Sequence, residues 1–454
     1  MDISVKESKL KDFIKSPKSA LWKLALPMMA GMSVQSIYML VDTAFIGHWV
    51  GGDALASLGY IFPIFFIILG ITFGLGTGVT TVIAQFIGAE DKKSADNSAE
   101  HSILLASFLG LFILIGGNIF GTKILAIQGA TGQALEYANE YYPIMLIGSV
   151  FMVFAVFFRS ILSGEGDNKM PMMVLGVGTV LNIILDPIFI FYYGIKGAAI
   201  ATMISQIIVC LIFIYMMFFK EHSYITFALK DFSFNTSIFS KIFKLGIPAS
   251  LSMVIISMGT ILFNKILDST DAVAAYQTAG RLEHMFFLPI ISIAHALVTL
   301  TGMFYGAKRI DLLNEVINYG LKVGLGFSFI FATIFYFLSA PMIGWFTESQ
   351  EIINIGSNYF HVLIFAFPLI TIGMTSSRIM QGMGFASPML IITLMRVILI
   401  SGPLAWYFTR ILNMPIEFVW YSMLISAVFS SITAFVWMRK IISKSLIEKN
   451  IIVL

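Results

Sequence analysis

Apolar runs of about 20 residues recur along the whole chain, separated by short polar breaks. An α-helix of that length crosses the hydrocarbon core of a bilayer. Charged residues make up 12% of the sequence, about half of the roughly 25% that is usual in a soluble domain. The sequence therefore predicts an all-α polytopic membrane protein.

Twelve of these runs are long enough to cross a membrane as helices. The predicted spans are 24–46, 54–86, 101–120, 136–162, 171–193, 197–219, 243–267, 273–304, 316–338, 355–381, 388–409 and 417–438.

Lysine and arginine are unevenly distributed among the breaks. They concentrate after even-numbered helices and toward the termini, at Lys92, Lys93, Lys220, Lys230, Lys308, Arg309, Arg439, Lys440, Lys444 and Lys449. Such an excess marks the cytosolic side of a membrane. We therefore predict a multi-pass protein of the plasma membrane with both termini in the cytosol.

The two halves of the chain repeat one another. "DALA" at 53–56 matches "DAVA" at 271–274, and "AQFIGAE" at 84–90 matches "GMFYGAK" at 302–308. Both pairs have the same separation along the chain, here called the repeat offset. "SGEG" and "QGMG", Tyr141 and Tyr359, and "DP" and "GP" follow at this offset or very close to it.

The repeat predicts two six-helix lobes of equal orientation, related by a pseudo-two-fold axis along the membrane normal. The predicted parts are a cytosolic N-terminal segment 1–23, an N-lobe 24–220, a cytosolic linker 221–242, a C-lobe 243–440 and a cytosolic tail 441–454. Parallel repeats favour a substrate cleft between the halves and alternating access. A duplicated scaffold without transport is the alternative.

Two aspartates lie inside predicted spans, where a carboxylate is costly and usually functional. Asp42 lies about 7 Å below the outer end of the first helix and Asp186 about 10 Å below that of the fifth, at about 1.5 Å per residue. The two carboxylates therefore share one layer. A role in capping or packing alone is the alternative.

Further polar groups reach that layer. Tyr141 and Thr202 lie near the start of the fourth and sixth helices, and Asn182 lies one turn from Asp186 on the same helix face. Pro187 has no N–H and frees a helical carbonyl. This oxygen cluster suits Na⁺ or a shared proton.

The repeat supplies a comparison for the acids. Gly402 matches Asp186, and Thr260 falls opposite Asp42. Acids needed only for packing would recur in both halves, so their restriction to one half favours a functional role.

On the first helix, Gln35 and Tyr38 share the face of Asp42. Pro27 either bends this helix or marks its start, and the sequence does not decide between the two.

The second half has a charged group of its own. Arg281, Glu283 and His284 fall early in the eighth helix, either as a second site or as an ion pair near the outer interface, which we favour. Arg396, in the eleventh helix, is open to the same two interpretations, a functional site or a structural partner to backbone carbonyls.

Two stretches, "LALPMMAGMSVQSIYMLVDTAFIG" and "NIILDPIFIFYYGIKGAAIAT", resemble the multidrug and toxic compound extrusion (MATE) family. "IAQFIGAEDKKSA", "SGEGDNKMPM" and the duplicated layout extend the likeness over nearly the whole chain. The most similar branch is the DinF-like and archaeal one.

The resemblance implies export of organic cations or amphipathic compounds in exchange for Na⁺ or H⁺. It implies an ion-binding set of Asp42, Asn182, Asp186 and Thr202, adjoined by Tyr141 and Gln35, with a bend at Pro27. Ion sites on the seventh and tenth helices, found in the NorM-like branch, lack their acids here.

We therefore expect a secondary antiporter, a monomer with small organic substrates, no cofactor, no nucleic-acid partner and no enzymatic activity. The alternative is a lipid-linked oligosaccharide flippase of the wider superfamily, which predicts more intramembrane basic residues. An intramembrane enzyme would need motifs such as HExxH, which the sequence lacks. "GEGD" at 164–167 falls in a loop and is predicted to form a turn.

Overall fold

The computed structural model describes the backbone of residues 7–50, 52–127, 131–220, 222–227 and 232–452. Side chains are described for the same residues apart from 37–44, 47, 48, 52, 53, 55, 56, 126 and 447–452.

Secondary structure in this part of the chain is helical throughout. The helices are α1 (Leu10–Lys15), α2 (Pro17–Trp49), α3 (Gly52–Gly88), α4 (Lys92–Ile127), α5 (Gly132–Gly164), α6 (Lys169–Tyr193), α7 (Ile195–Ile214), α8 (Thr236–Leu267), α9 (Thr270–Gly306), α10 (Ile310–Gly344), α11 (Gln350–Leu363), α12 (Ala366–Gly382), α13 (Ser387–Leu394), α14 (Gly402–Trp406) and α15 (Glu417–Ile452).

Ten spans within the described residues are long and apolar enough to cross a membrane, and the bent pair α11 and α12 makes an eleventh. Helix α2, with 33 residues, corresponds to the first predicted helix. The prediction of an all-α protein with twelve membrane helices is thereby confirmed in outline.

The tenth predicted span is not one straight helix. Its parts α11 and α12 are bent by 61° across Ile364 and Phe365. Pro368 explains the position, because its ring clashes with the carbonyl four residues earlier, which is that of Ile364. The predicted span 355–381 is therefore formed by a bent pair of helices.

The eleventh predicted span is also irregular. Between α13 and α14 the chain forms a π-helix over Met395–Ser401, and a second one follows over Tyr407–Ile411. A π-helical turn, Tyr215–Phe219, likewise extends α7. Such segments are frequently found at functional sites.

Packing divides the chain into two compact units. The first comprises residues 1–11 and 26–246, and the second comprises 12–25 and 247–454. Both divisions fall inside a helix, α2 and α8 respectively. The described residues between α7 and α8, 222–227 and 232–235, are here called the connecting segment and lie within the first unit.

The core of the second unit is aromatic. Phe335 stacks on Phe360 at 4.1 Å between ring centroids, and Phe367 meets Phe335 edge-on. All three side chains are fully buried.

Corresponding turns in the two halves have the same backbone conformation. Glu90 and Lys308 both have positive φ angles, 58° and 55°, and Gly166 and Gly384 do so at 88° and 99°. The members of each pair are separated by the repeat offset. Because positive φ is uncommon outside glycine, the agreement at Glu90 and Lys308 shows that the repeat extends to backbone geometry.

Candidate functional site

The best-defined polar group of the first unit lies on α6. The Asn182 Nδ2 donates a hydrogen bond of 2.9 Å to the Asp186 Oδ1. Both side chains are buried, with Asp186 fully inaccessible to solvent. The i, i+4 spacing predicted this pairing, because residues four apart face the same way on a helix.

Close helix packing surrounds this pair. A Cβ added at Gly178 would lie 2.3 Å from the Val209 Cγ2, so α6 and α7 approach closely one turn from Asn182. Gly148 lets α5 approach α7 in the same way. Tyr141 on α5 is buried, and Thr202 on α7 is half-buried.

One further polar group was missed in the sequence. Gln206 lies four residues after Thr202 on α7, and its Oε1 lies against Gly148. This buried oxygen accepts no hydrogen bond from any described residue. The i, i+4 relation to Thr202 was the signal that would have found it.

The other predicted members lie on α2. The side chains of Asp42 and Tyr38 are outside the described residues, although both positions are helical. Asp42 and Asp186 each lie seven residues before the last residue of their helix. At about 1.5 Å per residue, each is about 10 Å from that end, which supports the shared layer.

Gln35 and Pro27 are described. Gln35 is exposed. Pro27 lies inside α2, which begins at Pro17, so the interpretation of Pro27 as a helix start was wrong. A proline in a helix interior removes one backbone hydrogen bond and favours a bend.

In the second unit, Glu283 belongs to an aromatic cluster. The Tyr359 hydroxyl donates a hydrogen bond of 2.5 Å to the Glu283 Oε2. Trp420 meets the Tyr359 ring edge-on at 5.1 Å and stacks on Tyr276 at 6.0 Å. Arg396, in the π-helix after α13, interacts electrostatically with Glu283.

The favoured ion pair within the group at 281–284 is not seen among the described residues. Arg281 and His284 are exposed, and neither forms an ion pair with Glu283 there. Glu283 instead interacts electrostatically with the distant Arg396, a partner other than the backbone carbonyls considered for that arginine.

Within the described side chains, no three histidine, cysteine, aspartate or glutamate residues come together as a metal site. Of the predicted ion-binding set, the structure brings together the Asn182 amide nitrogen and the Asp186 carboxylate.

Each half of the chain separately matches the model of the same protein family. The MatE family model matches residues 27–188 and again residues 247–407. The chain belongs to the MATE family. Two successive matches also agree with the internal repeat, since each covers one half of the chain.

Curated MATE relatives align over most of their length. The chain is 28% identical over 431 residues to "Probable multidrug resistance protein NorM" of Thermotoga maritima, covering 93% of this chain and 92% of that protein. It is 28% identical over 386 residues to "Multidrug export protein MepA" of Staphylococcus aureus strain MSSA476, covering 84% and 85% respectively.

Solved MATE structures superpose closely. One described as the outward-facing conformation of a multidrug resistance MATE family transporter of the MOP superfamily has a TM-score of 0.93 at 32% identity, covering 97% of this chain and 99% of that one. A structure described as MATE in the bent conformation has a TM-score of 0.92 at 31% identity, with the same coverage. The fold is therefore that of a MATE transporter.

Proposed function

We propose that this MATE transporter is a secondary antiporter that exports organic cations or amphipathic drugs in exchange for Na⁺ or H⁺. The observation that carries the proposal is the fully buried Asp186 carboxylate paired with Asn182. The proposed ion-binding set is Asp42, Asn182, Asp186 and Thr202, with Tyr141, Gln35 and Tyr38 adjoining it.

Burial makes such a carboxylate sensitive to a cation. An ionised carboxylate in an apolar interior is costly unless it is paired with a positive charge. Binding of Na⁺ or a proton to Asp186 relieves that cost and changes the hydrogen bond from Asn182. Coupling then requires that the ion favours one of two conformations over the other.

The identity of the substrate rests on the relatives. The Thermotoga protein is named for multidrug resistance and the Staphylococcus protein for multidrug export. Since the chain aligns with nearly their full length, we propose small drug-like substrates here too. No observation favours the flippase alternative.

The moving element is proposed to be α2, with Pro27 as the position of the bend. Solved relatives are described as MATE in the bent and in the straight conformation, at 31% and 32% identity. Pro27 lies inside α2 and next to the division between the two compact units. A shape change at this position would move Gln35, Tyr38 and Asp42 together.

The oligomeric state, location and orientation are proposed from the sequence. We propose a monomer of the plasma membrane, with both termini in the cytosol, without a cofactor or enzymatic activity. Membership in the DinF-like and archaeal branch, with the ion site in the first half only, is proposed on Asp186 and its counterpart Gly402. Leu262 packs against Gly402, where an added Cβ would lie 2.6 Å from the Leu262 Cδ2, so an acid at that position would require Leu262 to move.

The test is efflux of a cationic dye from proteoliposomes under a Na⁺ gradient and, separately, a pH gradient. We expect at least one gradient to accelerate efflux by the wild type. Asp186→Asn and Asp42→Asn should abolish the acceleration, whereas Glu351→Gln, at an exposed position on α11, should leave it intact.

Full acceleration in the Asp186→Asn variant would refute the proposed ion site. Dye efflux that responds to neither gradient would refute coupled antiport by the wild type and would favour the flippase alternative.

A further inference from the structure

Acidic side chains from the turn between α5 and α6 and from the start of α4 bind the connecting segment to one end of the first unit. Glu165 and Asp167 lie in the turn between α5 and α6, and Asp96 lies in the first turns of α4. The Asp96 carboxylate accepts hydrogen bonds from the Thr226 N–H and hydroxyl, at 3.0 and 2.8 Å, and from Lys92 at 2.7 Å.

Glu165 makes the most buried of these contacts, being only 5% exposed. Its Oε2 accepts three hydrogen bonds from the connecting segment. The donors are the Ser223 hydroxyl at 2.6 Å, the Tyr224 N–H at 2.9 Å and the Ile225 N–H at 3.2 Å. The Tyr224 N–H would otherwise have to find another acceptor, whereas the Ile225 N–H also donates to the Ser223 Oγ at 3.0 Å. This carboxyl therefore helps to fix the path of the backbone here.

Asp167 adds charged contacts beside it. Its Oδ2 lies 3.2 Å from the Lys9 Nζ and 2.9 Å from the His222 Nε2. Its Oδ1 accepts hydrogen bonds from the N–H groups of Lys169 and Met170, at 3.0 and 3.2 Å, at the start of α6. Asp167 therefore joins the N-terminal segment, the turn and the connecting segment.

A small pocket opens onto these groups and defines what faces Glu165. Its volume is about 240 Å³, and it is lined by Glu7, Lys9, Glu165, Asp167, His222 and Tyr224. The charge facing Glu165 is thus one lysine, two other carboxylates, a histidine that is charged only when protonated, and a phenol.

The second half shows that the turn itself does not need these acids. At the repeat offset, Met383 stands in place of Glu165 and Phe385 in place of Asp167. The backbone hydrogen bonds are the same in both turns: Glu165 N–H to the Ile161 carbonyl matches Met383 N–H to the Ile379 carbonyl. The acids are present only where the connecting segment crosses the turn.

We propose that Glu165 and Asp167 form a proton-sensitive latch, which holds the connecting segment on the first unit and tightens when Glu165 takes up a proton. This inference does not depend on the proposed ion coupling, because it concerns a different set of residues and a different end of the helices.

The direction of the latch's pH dependence follows from the burial of Glu165. Burial raises the pKa of its carboxyl to about 7 from the usual 4.5, although the hydrogen bonds from the connecting segment and the nearby Lys9 ammonium act the other way. Release of the segment would expose the carboxyl and return its pKa toward the usual value.

Because the Glu165 carboxyl has a raised pKa in the latched state, protonation of this carboxyl stabilises the latched state at low pH. The stabilisation is lost as pH rises through about 7. The protonated carboxyl keeps Oε2 as an acceptor, so the three hydrogen bonds survive protonation.

Asp167 itself stays ionised through this range. Its burial raises the pKa, but Lys9, the hydrogen bond from His222 and the Met170 N–H together outweigh burial and hold the pKa below its usual value. The proton is therefore assigned to Glu165.

The test is hydrogen exchange at the Tyr224 and Ile225 amides of the full chain in detergent, corrected for the intrinsic pH dependence of exchange. A shift of the Glu165 pKa from 4.5 to about 7 predicts that the opening constant rises about tenfold between pH 6 and pH 8. Glu165→Gln, which resembles the protonated form, should keep both amides protected with no such rise.

Two variants separate the alternatives. His222→Gln should retain most of the rise, and Glu351→Gln, the exposed control, should retain all of it. A flat wild-type profile would overturn the proposal. So would an unchanged rise in Glu165→Gln, or a rise abolished by His222→Gln alone.

A second contact of the connecting segment provides an internal reference. The Asn235 N–H donates to the His101 Nε2 at 2.8 Å, while the His101 Nδ1 contacts the Asn97 carbonyl at 2.8 Å. The Asn235 N–H can donate to Nε2 only while that nitrogen carries no proton. Faster exchange at both Tyr224 and Asn235 at pH 6 would indicate general loosening and overturn a latch that tightens in acid.

Discussion

Asn182 is the side chain whose contribution to the proposed ion site is easiest to isolate. It donates to a carboxylate that is fully buried. A hydrogen bond to a charged group contributes about 1.5–3 kcal/mol, and the amide also offers an oxygen to a bound cation.

Because alanine removes the amide oxygen that a bound Na⁺ would use, Asn182→Ala should raise the Na⁺ concentration for half-maximal efflux about tenfold, the equivalent of about 1.4 kcal/mol. Dye efflux from proteoliposomes at graded Na⁺ concentration would measure this shift. Asn118→Ala is the matched control, because Asn118 is exposed on α4 and donates only to the Leu114 carbonyl of its own helix. Equal shifts in both variants would remove Asn182 from the ion site.

At the residue level, local relations could be predicted and distant ones could not. The spacing of Asn182 and Asp186 fixed their common face, because helix periodicity is local. Glu165 binds Ser223, 58 residues away, and Glu283 binds Tyr359, 76 residues away. Nothing in the residues around either glutamate indicates such a partner.

Among the elements, α6 and α7 depend most directly on glycine. A Cβ added at Gly197 would lie 2.0 Å from the Phe189 carbonyl oxygen and 2.8 Å from the Ile190 nitrogen. These are backbone atoms, which do not move aside as a flexible side chain does. The close approach holds α7 against the helix that carries Asp186.

Gly197→Ala should therefore destabilise the protein by about 1–3 kcal/mol, as overpacking does, and lower its melting temperature in detergent. Gly176→Ala, on α6, is the comparison, because an added Cβ there meets nothing within 4 Å. Gly176→Ala should be neutral or slightly stabilising, since alanine is the better helix former. A Gly197→Ala protein that melts at the wild-type temperature would contradict the packing described.

The breaks in the helices show where sequence periodicity fails. The residues from 355 to 381 are apolar enough for one helix, yet α11 and α12 bend by 61°. Pro368 accounts for the position of the bend, but a proline inside a helix is also compatible with a continuous one, as Pro187 in α6 shows. The outcome depends on what packs around the proline, which hydropathy does not record.

For the whole molecule, the repeat was predictable because several sequence landmarks in the first half recur in the second half at one separation along the chain. The repeat offset joins the sequence matches and also the turns at Gly166 and Gly384. The division inside α2 and α8 was not predictable, because polar breaks mark the ends of helices and not the packing of their interiors.

Orientation in the membrane is the remaining prediction at this scale. Lysine and arginine excess places the end of α15 in the cytosol and the turn between α6 and α7 outside. The chain suits labelling, since its one cysteine, Cys210, is buried. Lys444 and Lys196 are both exposed, so each accepts a substitution by cysteine with little effect on packing.

A membrane-impermeant maleimide added to intact cells should label Lys196→Cys, and should label Lys444→Cys only after the membrane is permeabilised. The wild type, with Cys210 alone, gives the background. The opposite pattern would mean that the protein has the opposite orientation in the membrane. The direction in which a Na⁺ or H⁺ gradient drives export would then be reversed as well. It would also place the latch at Glu165 outside the cell, because an even number of membrane crossings separates the turn after α5 from the end of α15. One labelling experiment therefore decides both the direction of export and the compartment whose pH the latch senses.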